Sequence, residues 1–246
     1  MYPARLRNEA ARLRAAGESW SSVARILGVS RSTLRDWANG HSMRTNDCPV
    51  CGAGDLDAGA YAALLGFYLG DGCISRAPRC HFLRVACDRT QQCIVADVTD
   101  LIHRVRPGGR VFHPAAPGVT VVQSNWQHWP CLFPQNGEGR KHERPILLDE
   151  WQRRIVEAYP GPFLRGLFHS DGCRVMNSTR RVVAGELKTY HYPRWQFSNA
   201  SADIRELCCW ALDLVDIAWR QSNPRVISVS RREAVAALDR LIGPKS

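Results

Sequence analysis

The chain repeats itself, and the repeat limits its fold more than any other feature. Residues 64–73 read "LLGFYLGDGC" and residues 164–173 read "LRGLFHSDGC". The two align without gaps at a shift of 100, and Gly, Asp, Gly and Cys coincide at the third, eighth, ninth and tenth places. Self-similarity of this kind marks one supersecondary unit used twice. The surroundings repeat as well. After the first copy, "CISRAPRCHFLRVACD" predicts two strands, residues 91–104 a helix, "GRVFHP" and "VTVVQSN" two more strands, and a further helix starts near Trp126. After the second copy, "CRVMN" and "RWQFSN" predict strands, residues 202–219 a helix, "RVISVS" a strand and residues 231–242 a last helix. The expected fold class is α+β: a tandem αββαββα unit whose strands build a saddle.

The duplicated helices make a chemical demand. Gly66 and Gly70 lie four apart on one helix face, as do Gly166 and Ser170. Small residues at that spacing let two helix backbones approach closely, so the motif helices should pack on each other at a pseudo-two-fold axis. Each helix ends in a carboxylate, Asp71 or Asp171, where the helix dipole is already negative. Two such groups at one axis also repel each other. A single Asp-Gly would read as an ordinary helix end and turn. Two at the same place in a duplicated unit point to a divalent cation, and hard oxygen donors make Mg²⁺ the expected one. The charge balance agrees: 33 Lys and Arg against 23 acids gives a net charge of +10. Only Lys141, Lys188 and Lys245 are lysine; the rest is arginine, which grips phosphate in a fixed fork. Such a surplus suits contacts with a phosphate-bearing partner.

Residues 4–40 predict three helices. Ser19 and Ser30 stand as N-caps, Gly28 as a tight turn, and Val23, Ala24, Ile26, Leu27, Leu34 and Trp37 as the buried side. "SWSSVARILGVSRSTLRDWANG" resembles a helix-turn-helix of the homeodomain-like or resolvase-like kind. That resemblance implies a third helix in the major groove, with Arg31, Ser32, Thr33 and Arg35 facing base edges. A polar linker should follow, and then Cys48-Pro49-Val50-Cys51-Gly52, half of a zinc knuckle. The remaining ligands could come only through the fold, from Cys73, Cys80, Cys87, Cys93, Cys131, His81 or His128. Ten cysteines in a chain of this length without an export signal should be reduced thiols. No apolar run approaches a membrane span, so a cytoplasmic, nucleoid-associated protein is expected.

"LLGFYLGDG", "FLRGLFHSDG" and the stretch "GRKHERPILLDEW" before the second copy resemble the LAGLIDADG homing endonucleases in their single-chain, two-motif form. The resemblance covers roughly residues 56–244. It implies Mg²⁺-dependent hydrolysis of both strands of a DNA target, with Asp71 and Asp171, beside Gly70 and Ser170, at the metals. Basic or amide residues assist in that family, and Lys141, Arg144, Gln123 and Lys188 are the candidates here. Strand residues Arg76, Arg84, Arg174, Arg181, Arg194 and Gln196 are candidates for DNA contact. The chain departs from the family by its N-terminal helix-turn-helix and its Cys-x-x-Cys. That combination is similar to WhiA-type regulators, whose domain order is reversed, and leaves a non-cleaving transcriptional regulator as the alternative. The expected organisation is a helix-turn-helix over 1–42, a linker with the cysteine pair over 43–55, and two repeats over 56–150 and 151–246. One such chain would act as a monomer with pseudo-two-fold symmetry.

Overall fold

In the computed structural model, which describes residues 4–39 and 46–245, the chain divides into two compact units, Met1–Asp55 and Leu56–Ser246. In the first, Ser19 and Ser30 each accept a backbone N–H three residues on, and a helix starts behind each. The helices are α1 (Ala4–Ala15), α2 (Trp20–Leu27) and α3 (Arg31–Ala38). Gly28, at φ +63°, ends α2 and turns the chain toward α3. Ala10, Val23, Val29 and Leu34 form the buried centre, with Leu13, Trp20, Ala24, Leu27 and Trp37 packed around it. Ile26, expected inside, is exposed. Residues 40–45 of the expected linker lie outside the described residues.

The second unit runs α4 (Ala58–Leu69), β1 (Gly72–Arg76), β2 (His81–Asp88), α5 (Gln92–Val105), β3 (Val111–Phe112), β4 (Ala115–Ala116), β5 (Val119–Trp126) and α6 (Trp129–Leu132). It continues α7 (Glu150–Ala158), α8 (Pro160–Asp171), β6 (Gly172–Val183), β7 (Glu186–Ser198), α9 (Ala202–Asp213), β8 (Arg220–Asn223), β9 (Val226–Val229) and α10 (Arg232–Ile242). One antiparallel sheet has the order β1-β2-β5-β3 with β4 also on β5; the other has β6-β7-β9-β8. The orders correspond strand for strand, so the duplication holds at the level of topology.

Helix α4 is apolar all round and buried from Ala60 to Leu69, as a helix enclosed by protein must be. Its partner is α8, and the glycines set their separation. A Cβ on Gly66 would lie 2.4 Å from the Phe163 carbonyl oxygen, and one on Gly166 would lie 2.2 Å from that of Ala63. The two glycines meet across the axis.

Several boundaries differ from expectation. Strands β6 and β7 are far longer than "CRVMN" and "RWQFSN", because Thr, Val and Tyr continue the extended pattern. Ala184 and Gly185, both at positive φ, close the resulting two-residue hairpin. The helix expected to reach residue 219 stops at Asp213. Asp216 takes φ +53°, the Ile217 N–H returns to the Leu212 carbonyl, and the chain enters β8. The helix expected from Trp126 is one turn, α6. Helix α7 and strands β4 and β8 had no sequence signal strong enough to place them.

Candidate functional site

The motif helices bring Asp71 and Asp171 to the same end of the α4/α8 pair. The Asp71 backbone N–H donates to Ser170 Oγ at 2.8 Å, across the axis. A cleft of about 830 Å³ contains both carboxylates together with Lys141 and Asn199. A second, of about 490 Å³, contains Asp71 with Lys245. Asn199 Nδ2 donates to Asp171 Oδ2 at 2.6 Å and fixes that carboxylate's orientation. Asn199 is itself held through its Oδ1, which accepts the Ser201 N–H at 2.8 Å.

Each helix end carries carbonyls with no partner inside the helix. Lys141 Nζ donates to those of Leu69 and Gly70, both at 2.9 Å, and to that of Tyr68. Lys245 Nζ donates to Gly172 at 2.6 Å, Ser170 at 3.2 Å and Phe168 at 3.5 Å. Each ammonium thus caps the motif helix of its own repeat, where the dipole favours a cation. It also shares a cleft with the carboxylate of the other repeat. The carbonyls of Gly70 and Ser170, expected beside a metal, are engaged by these lysines.

The electrostatics are those of a crowded anionic centre. Burial, reinforced by the charge of Asp71, pushes the Asp171 carboxyl up to about 6, against the pull of Asn199, Lys141 and Lys245. Burial draws Lys141 down to about 8, opposed by both aspartates, and lowers Lys245 in the same sense. Two acids with hard oxygen donors, one destabilised as an anion by its surroundings, suit a divalent cation: it removes the repulsion and stabilises the charged form.

The segment between the repeats is clamped into place. Arg144 donates to the carbonyls of Gln135, Glu138 and Gly139, and the Asp203 carboxylate accepts the Ile146 N–H at 2.7 Å. These bonds fix the loop that delivers Lys141.

Strand register sorts the remaining candidates. Arg84 and Gln123 pair on the less buried face of the first sheet, where Arg84 Nε donates to Gln123 Oε1 at 2.7 Å. Gln123 therefore belongs to that face and lines neither cleft. Arg181, Arg194 and Gln196 share the corresponding face of the second sheet. Arg174 lies on the opposite face, in a two-bond ion pair with Asp239 on α10 at 2.9 Å, and is turned away from the others. Arg76 pairs with His81 on the core-side face, at the exposed end of β1. Lys188 stands opposite Arg181 near the hairpin tip, about 30 Å along the strand from the motif at ~3.3 Å per residue, and takes no part in the centre. In the N-terminal unit, Arg31, Ser32 and Arg35 are exposed on α3 and Thr33 is half-buried. The Ser32 and Thr33 hydroxyls are bonded to Ser30 Oγ at 2.9 and 2.8 Å.

The cysteine pair sits on a tight turn. The Sγ atoms of Cys48 and Cys51 lie within 4.8 Å of each other. Asn46 supports the turn: its Nδ2 donates to the Cys51 carbonyl at 2.9 Å, and its Oδ1 accepts the Cys48 N–H at 3.2 Å. Cys48 is buried, which raises its thiol, and Cys51 is exposed. In the other unit, Cys131 Sγ and His128 Nδ1 are 3.8 Å apart at the start of α6.

Sequence reasoning missed Lys245, Asn199 and His169. A signal for Lys245 existed: two of the three lysines follow the last helix of a repeat. Asn199 and His169 had none, since only strand register and helix packing bring them to the clefts.

Residues 3–41 match the homeodomain-like domain family. No curated protein matches the chain. Among solved structures, similarity is found to the LAGLIDADG meganuclease I-AabMI bound to uncleaved DNA. Identity there is 12%, over 73% of this chain and 83% of that one, with a TM-score of 0.45. Similarity is also found to I-DmoI in complex with DNA and Ca, at 13% identity over 76% and 91%, TM-score 0.49. For I-DmoI with DNA and Mn, identity is 11% over 76% and 98%, TM-score 0.49. Among the described residues no helix is long and apolar enough to cross a membrane.

Proposed function

We propose that this chain is a metal-dependent, sequence-specific endonuclease of the LAGLIDADG type, acting on double-stranded DNA. The observation that carries the reading is the doubled arrangement: two carboxylates at the ends of close-packed helices, each sharing a cleft with a half-buried lysine from the other repeat. A regulator has no use for two repelling acids and two desolvated ammonium groups at one axis.

Asp71 and Asp171 hold the cation, with Mg²⁺ the expected ion. A cation held there would supply Lewis-acid activation of the phosphodiester and of the attacking water. The protein's own groups do the rest. Asn199 holds Asp171 in one orientation. Lys141 and Lys245 stabilise negative charge as the bond from water oxygen to phosphorus forms and the bond to the leaving oxygen breaks. Arg84, Arg181, Arg194 and Gln196 present their sheet faces to the duplex, where arginine holds phosphates and reads base edges. The helix-turn-helix adds a separate DNA contact through Arg31, Ser32, Thr33 and Arg35. One chain supplies both half-sites and so acts as a monomer. Cys48 and Cys51, side by side on their turn, hold zinc in a structural role.

The test is incubation of the purified chain and Mg²⁺ with a library of duplex targets. Double-strand breaks at a defined sequence support the reading. Specific binding with no cleavage in any divalent cation would replace it with the transcriptional regulator, the reading favoured by the homeodomain-like match alone.

A further inference from the structure

Neither lysine of the centre stands on a long helix or strand. Each is carried by a short segment that must itself be anchored if the ammonium is to stay in place. The segment of Lys141 is anchored from within, by Arg144 on the carbonyls of Gln135, Glu138 and Gly139. Lys245 follows the end of α10 after only Gly243 and Pro244, and its anchor comes from α8. Arg165 Nη1 donates to the Ile242 carbonyl at 2.7 Å, one of those that a helix end leaves without a partner. Arg165 Nε donates to Asp97 Oδ2 on α5 at 2.9 Å. One guanidinium thus ties the end of α10 to α5 and α8.

The contact differs from an ordinary surface ion pair, which contributes little. Its second arm lies on the main chain, so it constrains the path toward Lys245 rather than another side chain. Gly243 takes φ +73°, and a Cβ there would lie 3.0 Å from Arg165 Nη1, so the chain turns directly over the guanidinium. The shift of 100 sets Arg165 against Leu65, which is fully buried. The motif helix therefore does not need an arginine in that place. The repeat whose lysine arrives on the Arg144 loop has an aliphatic side chain there, and the repeat whose lysine follows α10 has the anchor.

We propose that Arg165 is the positioning residue of the Asp71 cleft: held by Asp97, it pins the Ile242 carbonyl and so fixes the Lys245 ammonium at the end of α8. Arg165 touches no reacting atom and acts only through Lys245. Lys245 shares its cleft with Asp71, so the anchor serves one of the two centres and not the other. The inference deepens the endonuclease reading and rests on it for the effect on cleavage, but the placement of Lys245 is measured without DNA.

The experiment is limited acetylation of the full chain with acetic anhydride, read at each lysine by mass spectrometry. Lys141, Lys188 and Lys245 are the only lysines, so every site is resolved. Arg165→Met keeps the length of the side chain and loses both bonds. It should raise the rate at Lys245 by about tenfold or more, the scale of a lost hydrogen bond to a charged group, and leave Lys141 and Lys188 as in the parent. Asp97→Asn should act in the same direction more weakly. Arg165→Lys, which keeps the charge but not the fork, should lie between Arg165→Met and the parent. An unchanged rate at Lys245 in Arg165→Met, or an equal rise at all the lysines, would overturn the proposal. Strand-resolved single-turnover cleavage is the second readout. Arg165→Met and Lys245→Met should slow the same strand, and the double variant should be no slower than Lys245→Met. A slower double variant would mean that Arg165 acts by another route and would also overturn the proposal. The two readings fail separately. A selective rise at Lys245 in a chain that cuts DNA in no cation keeps the positioning role and removes the nuclease. Cleavage with unchanged lysine rates does the reverse.

Discussion

The two repeats agree at the axis and diverge in their sheets. At the axis, glycine meets glycine, aspartate stands near aspartate, and a lysine caps each helix. In the sheets, the β1–β2 hairpin is short, and its Arg84 is tied to Gln123 and Ser75. The β6–β7 hairpin extends in twelve and thirteen residues, and Arg194 Nε on its face has no partner. The difference separates two tasks. On the proposed endonuclease reading, the two strands of a duplex present the same phosphate chemistry, so the parts that would meet the scissile bonds stay alike. Base sequence is not symmetric, so the parts that read it are free to differ.

The largest expected effect tests the symmetric part. Asp71→Asn and Asp171→Asn should each lower cleavage by about 10²–10³-fold or more, the scale of removing one electrostatic partner of a transition state. Each should leave DNA binding intact. If the carboxylates serve separate strands, strand-resolved gels will show each variant nicking a different strand. Equal loss on both strands in either variant would mean a single shared centre. Next comes the axis itself. Gly66→Ala and Gly166→Ala each drive a Cβ into backbone of the facing helix, which has no side chain to move aside. Overpacking of this kind costs typically ~1–3 kcal/mol, or a few degrees in Tm for a domain of this size. Thermal unfolding that matches the parent would mean the helices can separate freely.

How far the sequence alone reaches follows the same division. The axis was legible because its constraints are local and doubled: small residues at helical spacing and an acid at a fixed place. The N-terminal helices were legible through Ser19, Ser30 and Gly28, each acting within one turn. Other features depend on parts of the chain far apart in sequence. Lys188 was a candidate by charge, yet the long hairpin carries it to the tip. Lys245 is the group at the centre, because α10 packs back and ends beside α8. Arg174 and Arg194 look equivalent in sequence and face opposite ways, because register decides which side each occupies. Lysine at the two helix ends has a physical reason: a compact ammonium fits among three converging carbonyls where a planar guanidinium does not.

A third prediction concerns the crowding of charge. Asp171 has its carboxyl pushed up to about 6, above the ordinary value of 3.8, so the metal-free folded chain binds that proton more tightly than the unfolded chain. Stability from this group is therefore full below about pH 4 and is lost as pH rises through about 6. Asp171→Asn should stabilise the metal-free protein at pH 8, by an amount on the order of 1–3 kcal/mol, and change little at pH 4. Denaturant titrations in chelator at the two pH values measure it. Added Mg²⁺ should stabilise the parent more than the variant, which keeps only Asp71 as a carboxylate ligand. A variant no more stable than the parent at pH 8 would mean that Lys141, Lys245 and Asn199 already neutralise the centre.

The smallest effect probes the divergent part. Arg181→Ala with Lys188→Ala removes two cations that face each other on the exposed hairpin. Taking away one cation that grips a phosphate should reduce the slope of log affinity against log salt by about one, so this pair should lower it by up to about two. Affinity should fall evenly across target sequences, because a grip on phosphate carries no base information. Arg84→Ala behaves differently if the first sheet reads bases: it should relax preference at one position of the target and change the salt slope by no more than about one. The pair of measurements distinguishes a hairpin that lengthens the phosphate grip from one that adds base readout. In the second case the hairpin variant, too, would shift the preferred sequence, and the asymmetry between the sheets would lie in which bases each reads rather than in how tightly each holds.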